Sequence, residues 1–249
     1  MQAYWTLMRR ELAGFFLSIT GYVLLAGTTF LVGFSFWSLL RNLEGDSIPM
    51  PVTELFYMTA FFWLILLLAV PVITMRLFAH EKFSGTYETL MTTPVSDLQV
   101  LAAKFSAALA LYMILWLPLL ACIFILRHYT SDPTGLDAGV VGSTFLGIFL
   151  VGCLFISLGC FASALTRSQM TAAMISMVLC VSLFLVSFLA KQLPASDWQA
   201  QVLSFFALRD QMHDFARGVV DTRPVVLCLS LTFFFLFLTL RVLGSRRWK

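Results

Sequence analysis

Long apolar runs alternate with short polar stretches along this chain. The runs occupy about 19–40, 54–75, 101–126 and 140–165, a stretch that follows the turn Thr166 to Gln169 and ends near Ala190, and 224–242. As helices, each is long enough to cross a hydrocarbon core of about 30 Å. The middles of these windows carry no ionisable side chain, which a soluble core of this size would not achieve. The pattern predicts an all-α, polytopic membrane protein with six transmembrane helices, folded as one domain over 1–249. Composition agrees, with 60% hydrophobic and only 12% charged residues. No soluble domain of appreciable size is expected.

Three polar segments carry structure of their own. In 1–17, Trp5, Met8, Leu12 and Phe15 recur at helical spacing while Gln2, Thr6, Arg9 and Arg10 face the other way. This predicts a helix lying in the membrane interface. The apolar run behind it is too long for a signal h-region and lacks a small-residue cleavage site, so the segment is expected to remain in the mature protein.

The second segment, 76–98, is longer than a simple helix connection needs. Arg76, His80, Glu81 and Lys82 are predicted to carry the preceding helix into water until Ser84 and Gly85 stop it. Thr86 then caps a short crossing helix with Glu88 in its first turn and Leu90 and Met91 on its apolar side. Thr93 is biased out of helix by Pro94, and Ser96 with Gln99 forms a capping box that launches the third span. A surface helix exposing Tyr87, Leu90 and Met91 has the shape needed to enter a groove on another protein.

In the third segment, 191–223, Leu208, Met212, Phe215 and Val219 recur at steps of four, three and four opposite Arg209, Asp210, Asp214 and Arg217. An amphipathic helix is predicted, either capping the outer surface or dipping into the bilayer as a re-entrant segment. The fourth span contains Gly147, Gly152, Gly159 and Ser163, small residues that let helices approach closely.

Charge sets the orientation. With six spans, the N-terminus, the 76–98 loop, the Thr166 turn and the C-terminus share one face, which holds ten basic and four acidic residues, a net of +6. The opposite face holds six basic and nine acidic residues, a net of −3. By the positive-inside rule the first face is cytoplasmic.

Candidate chemistry is sparse. His80, His128 and His213 lie in separate loops, and Ser84 stands where a second ligand of a metalloprotease helix would be, so no metal site is expected. All five cysteines sit inside apolar runs without CxxC spacing and read as small apolar residues. The chain contains no phosphate loop, no GxSxG and no Gly-rich dinucleotide turn. Neither catalysis nor a bound cofactor is expected of it. The deep polar residues are Ser, Thr and Tyr, such as Thr28, Thr59, Tyr112 and Ser157, and interhelical hydrogen bonding is the expected role. Gradient-driven transporters commonly keep acids or histidines at membrane depth, so energy for transport would have to come from outside this chain.

These pieces resemble a known family. PVITMRLFAHEKFSGTYETLMTTPVSDLQVLAAKF, from Pro71 to Phe105, is similar to the cytoplasmic loop of type-2 ATP-binding-cassette (ABC) exporter permeases, especially the gliding-motility-type and copper-enzyme-maturation branch. RREL from Arg9, LTRSQMTA from Leu165 and HDFARGVVDTR from His213 resemble that family's interface helix, its turn between spans four and five, and the segment before its last span. One departure is His80, where an acidic residue is more usual; a weaker charge contact with the partner is expected there.

The resemblance implies a transmembrane permease subunit in a bacterial cytoplasmic (inner) membrane. Two permease chains, identical or different, would pair around a central path, with membrane lipid around them and no nucleic-acid partner. Each would receive a separate cytoplasmic ATPase that carries ATP and Mg. It further implies that Glu81, Gly85, Thr86, Tyr87, Glu88 and Leu90 contact that ATPase. A secondary transporter, an intramembrane enzyme and a membrane scaffold or signalling subunit are the competing classes. The substrate is not specified by any of these residues.

Overall fold

The computed structural model describes residues 2–43, 52–86, 95–129, 138–192, 203 and 205–245. Among the described residues every regular element is an α-helix: α1 Gln2–Phe16, α2 Ile19–Leu43, α3 Val52–Met58, α4 Ala60–Thr74, α5 Ala79–Ser84, α6 Asp97–Leu115, α7 Leu117–Tyr129, α8 Ala138–Leu165, α9 Gln169–Gln192, α10 Leu208–Ala216 and α11 Thr222–Ser245. Six stretches are long and apolar enough to cross a membrane: Ile19–Arg41, Ala60–Ser84, Asp97–Leu126, Ala138–Leu165, Gln169–Leu189 and Thr222–Ser245.

One break precedes the second span and another interrupts the third. Thr59 takes an extended conformation, and its hydroxyl bonds back to the Phe56 carbonyl at 2.6 Å, which separates α3 from α4. The third span breaks at Trp116, two residues before Pro118, which lacks an N–H and whose ring crowds the carbonyl four residues back.

Helix α8 is the hub, and it packs against α4, α6, α9, α10 and α11. Its small residues make this possible, as expected. A Cβ at Gly152 would lie 2.3 Å from the Tyr112 ring, and one at Gly159 would lie 2.2 Å from Thr74 Oγ1. Without side chains there, α6 and α4 approach α8 closely enough to gain dispersion contacts, the main attraction between helices in lipid.

Some of the deep hydroxyls depart from expectation. Thr28 bonds to Leu24 O at 2.9 Å and Ser157 to Leu154 O at 2.7 Å, each within its own helix, and the Tyr112 hydroxyl has no partner among the described residues. The carbonyl three or four residues back is the nearest acceptor for a helical Ser or Thr, and it wins. Other deep hydroxyls do reach across as expected: Thr59 to Ser35 at 3.3 Å, Thr74 to Ser176 at 3.4 Å, and Tyr57, which donates to Thr144 O at 3.1 Å.

Helix α1 packs along α6, with Tyr4 OH 2.7 Å from Ser106 Oγ. Its inward side is therefore Tyr4, Leu7, Met8, Glu11, Leu12 and Phe15, while Trp5 is 64% exposed. Apolar periodicity cannot see that Glu11 has an ionic reason to face in.

Candidate functional site

The 76–98 segment does not simply run out into water. After Thr74 the chain turns, and Leu77, Phe78 and Ala79 are buried against α8. The Ser163 hydroxyl on α8 accepts from the Phe78 and Ala79 amides, 3.1 Å each. Ser163 is thus more than a small packing residue. It satisfies the free donors at the start of α5, which that short helix cannot satisfy itself.

Four other attachments hold α5 and the turn before it. Lys82 Nζ donates to the Ala164 carbonyl, at the end of α8 where the helix dipole favours a cation. Arg76 donates to Ser18 Oγ at 2.8 Å and to Thr20 Oγ1 at 2.5 Å, tying the turn to the junction of α1 and α2. Gln169 Nε2 at the start of α9 lies 2.8 Å from His80 Nδ1, so the histidine that departs from the family pattern has an internal partner.

The fourth attachment is ionic. Lys104 on α6 is 2% exposed, and its ammonium lies 3.0 Å from Glu11 and 2.8 Å from Glu81. Arg10 reaches the same two carboxylates at 3.0 and 3.4 Å. The ammonium also stands 5.5 Å over the Phe78 ring. Each buried charge here has an opposite charge at contact distance, the condition under which burial is tolerable. These side chains border an open cavity of about 740 Å³ between α1, α5 and α6 that also includes Arg76, His80, Ser84 and Thr86 in its wall.

Beyond this base, α5 presents an exposed tip. Phe83 is 76% exposed, and Ser84, Gly85 and Thr86 are exposed with it. Gly85 ends the helix at φ 76, a left-handed conformation open to glycine, with free space around it. The capping box forms as expected, Ser96 Oγ accepting from the Gln99 amide at 3.3 Å and Gln99 Oε1 from the Ser96 amide at 3.4 Å. Tyr87, Glu88 and Leu90, with the crossing helix expected to carry them, lie outside the described residues.

A family model described as "ABC-2 family transporter protein" matches residues 35–242, more than four-fifths of the chain. The chain belongs to that family. It is a multi-pass membrane protein and the permease of an ABC transporter. No curated protein sequence matches it significantly.

At the far end of α8, the ABC-2 permease has a second ionic cluster that its sequence pattern did not reveal. Glu54 on α3 is 1% exposed and accepts from Arg217 Nε and Nη2, both at 2.9 Å, with His213 Nε2 at 2.8 Å. Around it, Thr53 Oγ1 donates to Ala216 O at 3.0 Å and Ser143 Oγ to Phe215 O at 2.7 Å. These bonds satisfy the carbonyls at the end of α10 and pin it between α3 and α8. Leu208, Met212 and Phe215 are buried as predicted, but the helix stops at Ala216 and Val219 is exposed. The available signal was a carboxylate one turn before an apolar run, and His213 and Arg217 four apart on one helix face.

The cluster makes a directional prediction for thermal melts. Arg217→Met leaves Glu54 buried with only His213 and is expected to cost about 2 kcal/mol, less than a fully buried pair because the guanidinium is 48% exposed. Glu54→Gln leaves a cation that can turn to water and should cost less.

Proposed function

We propose that this permease works with a separate cytoplasmic ATPase that docks on the tip of α5 and the loop after it, and that two permease chains together move substrate outward across a bacterial cytoplasmic membrane. The observation that carries the reading is the contrast within α5. Its base is bonded to α1, α6, α8 and α9, while Phe83, Ser84, Gly85 and Thr86 stand free. A short helix rigid at its root and bare at its tip is built to be pushed. Glu81 is already engaged by Lys104 and Arg10, so it transmits force, and the ATPase meets the exposed residues together with Tyr87, Glu88 and Leu90.

On this reading ATP and Mg belong to the partner, and the chain supplies no nucleotide site of its own. Both termini are cytoplasmic, α1 lies in the membrane interface, and α10 is a re-entrant helix at the outer leaflet. The resemblance of the Pro71 to Phe105 stretch favours the gliding-motility and copper-enzyme-maturation branch. The buried charges do not favour a gradient-driven carrier, because both are ion-paired, Glu54 lies on α3 before the second span and Lys104 lies in the first turns of the third.

Isolated gently from its native membrane, the chain should bring down a soluble ATPase in stoichiometric amount, and Gly85→Val combined with Glu88→Ala should release it. A Cβ at Gly85 meets no described atom within 4 Å, and a non-glycine residue at its left-handed φ costs about 1–2 kcal/mol of backbone strain, so the variant chain should still fold. A wild-type chain that purifies without such a partner would remove the basis for this function.

A further inference from the structure

Between α4 and α9, beside α10, lies an open groove of about 480 Å³, within the range of sites that take a small molecule. It follows α4 for about two turns, roughly 12 Å. Leu64, Leu68, Phe184 and Phe188 give it apolar walls, and three of these four are more than a third exposed.

The groove has two strongly polar side-chain groups, and both are donors. Arg209 stands at one end with its guanidinium 5.4 Å over the Phe188 ring and no carboxylate at ion-pair distance among the described residues. Trp63 lines the wall, and its buried indole N–H has no acceptor among the described residues. An arginine in an apolar setting normally has an anion, and a buried indole N–H normally has an oxygen. No lining side chain supplies an oxygen acceptor, so the occupant has to bring them.

We propose that this groove holds an anionic phospholipid, its phosphate on Arg209 and one acyl chain along α4 and α9. The phosphate matches the guanidinium fork, an ester carbonyl offers an acceptor to Trp63, and the chain covers the exposed leucines and phenylalanines. A second copy of this chain fits less well. A two-fold interface repeats the same patch on both sides and would bring in a second Arg209 without a carboxylate. The inference needs only that the chain spans a bilayer, and it stands or falls separately from ATPase docking.

The test uses the full chain in nanodiscs of equimolar dioleoylphosphatidylglycerol and dioleoylphosphatidylcholine, released into native mass spectrometry to count retained lipids. Wild-type protein should retain one phosphatidylglycerol per chain with a preference of about tenfold over phosphatidylcholine. Arg209→Gln should abolish the preference and Arg209→Lys should keep part of it, which separates charge from folding. Leu64→Trp, which fills the groove and spares the cation, should expel the lipid. Equal retention of the two lipids, or a preference that survives both Arg209→Gln and Leu64→Trp, overturns the proposal. An efficient disulfide between two Leu68→Cys chains overturns it as well, because a second copy would then cover the groove.

Discussion

Lys104→Met is expected to destabilise the folded permease by about 3–5 kcal/mol, enough to abolish recovery of folded protein from a marginally stable chain. The ammonium is the buried member of its cluster, and Glu11 and Glu81 both converge on it within 3.0 Å. Removing it leaves two mostly buried carboxylates facing each other. Arg10 does not substitute, because its side chain is more than half exposed and water screens it. Arg10→Ala should therefore cost less than about 1 kcal/mol. Lys104→Met with Glu11→Gln should recover part of the loss by removing the repulsion, while Glu81 keeps only the exposed Arg10 at 3.4 Å. Thermal unfolding in detergent ranks the three variants, and equal effects from Lys104 and Arg10 would show that burial does not set the energetics.

The second large effect comes from one added carbon. Gly159→Ala places a Cβ 2.2 Å from Thr74 Oγ1 and 2.5 Å from Thr74 Cβ and Cγ2. Thr74 cannot step aside. It is β-branched and fully buried, and its hydroxyl is bonded to Val70 O at 2.9 Å. Overpacking of this kind costs about 1–3 kcal/mol, and the upper end applies where the opposing atoms include a Cβ. Since Thr74 is the last residue of α4 before the turn into α5, the clash should also shift α5. Gly142→Ala in the same helix meets nothing within 4 Å and should be neutral or slightly stabilising. A melt in which the two variants behave alike would show that α4 and α8 do not approach at Gly159.

What could be read in advance followed from patterns that act locally. The apolar runs specify six spans because a bilayer demands self-satisfied backbone over a fixed thickness. Ser96 with Gln99, and Gly85 after Ser84, specify a helix start and stop through bonds between near neighbours in sequence. The inward ionic residues were not legible, because their reasons lie far along the chain. Glu11 faces in to meet Lys104, and Glu54 is buried to meet Arg217, partners 93 and 163 residues away. Ser163 was noticed for its size, while its bonds to the Phe78 and Ala79 amides depend on a turn that charge patterning had sent into solvent. Of the residues proposed to meet the ATPase, Gly85 and Thr86 lie on the exposed tip of α5, whereas the Glu81 carboxylate is drawn inward.

The two ionic clusters sit near opposite ends of α8, one under α5 and one under α10. Helix α8 packs against α4 and α6 between them, and most of its residues from Ser143 to Ala164 are buried.

Photo-cross-linking from position 83 in native membranes tests the central claim most directly. A photoreactive amino acid in place of Phe83 is predicted to capture one soluble protein, on the cytoplasmic side, that carries a GxxxxGK[ST] nucleotide-binding loop. Capture of lipid alone, or labelling of that position by a membrane-impermeant reagent added from outside the cell, would contradict the account.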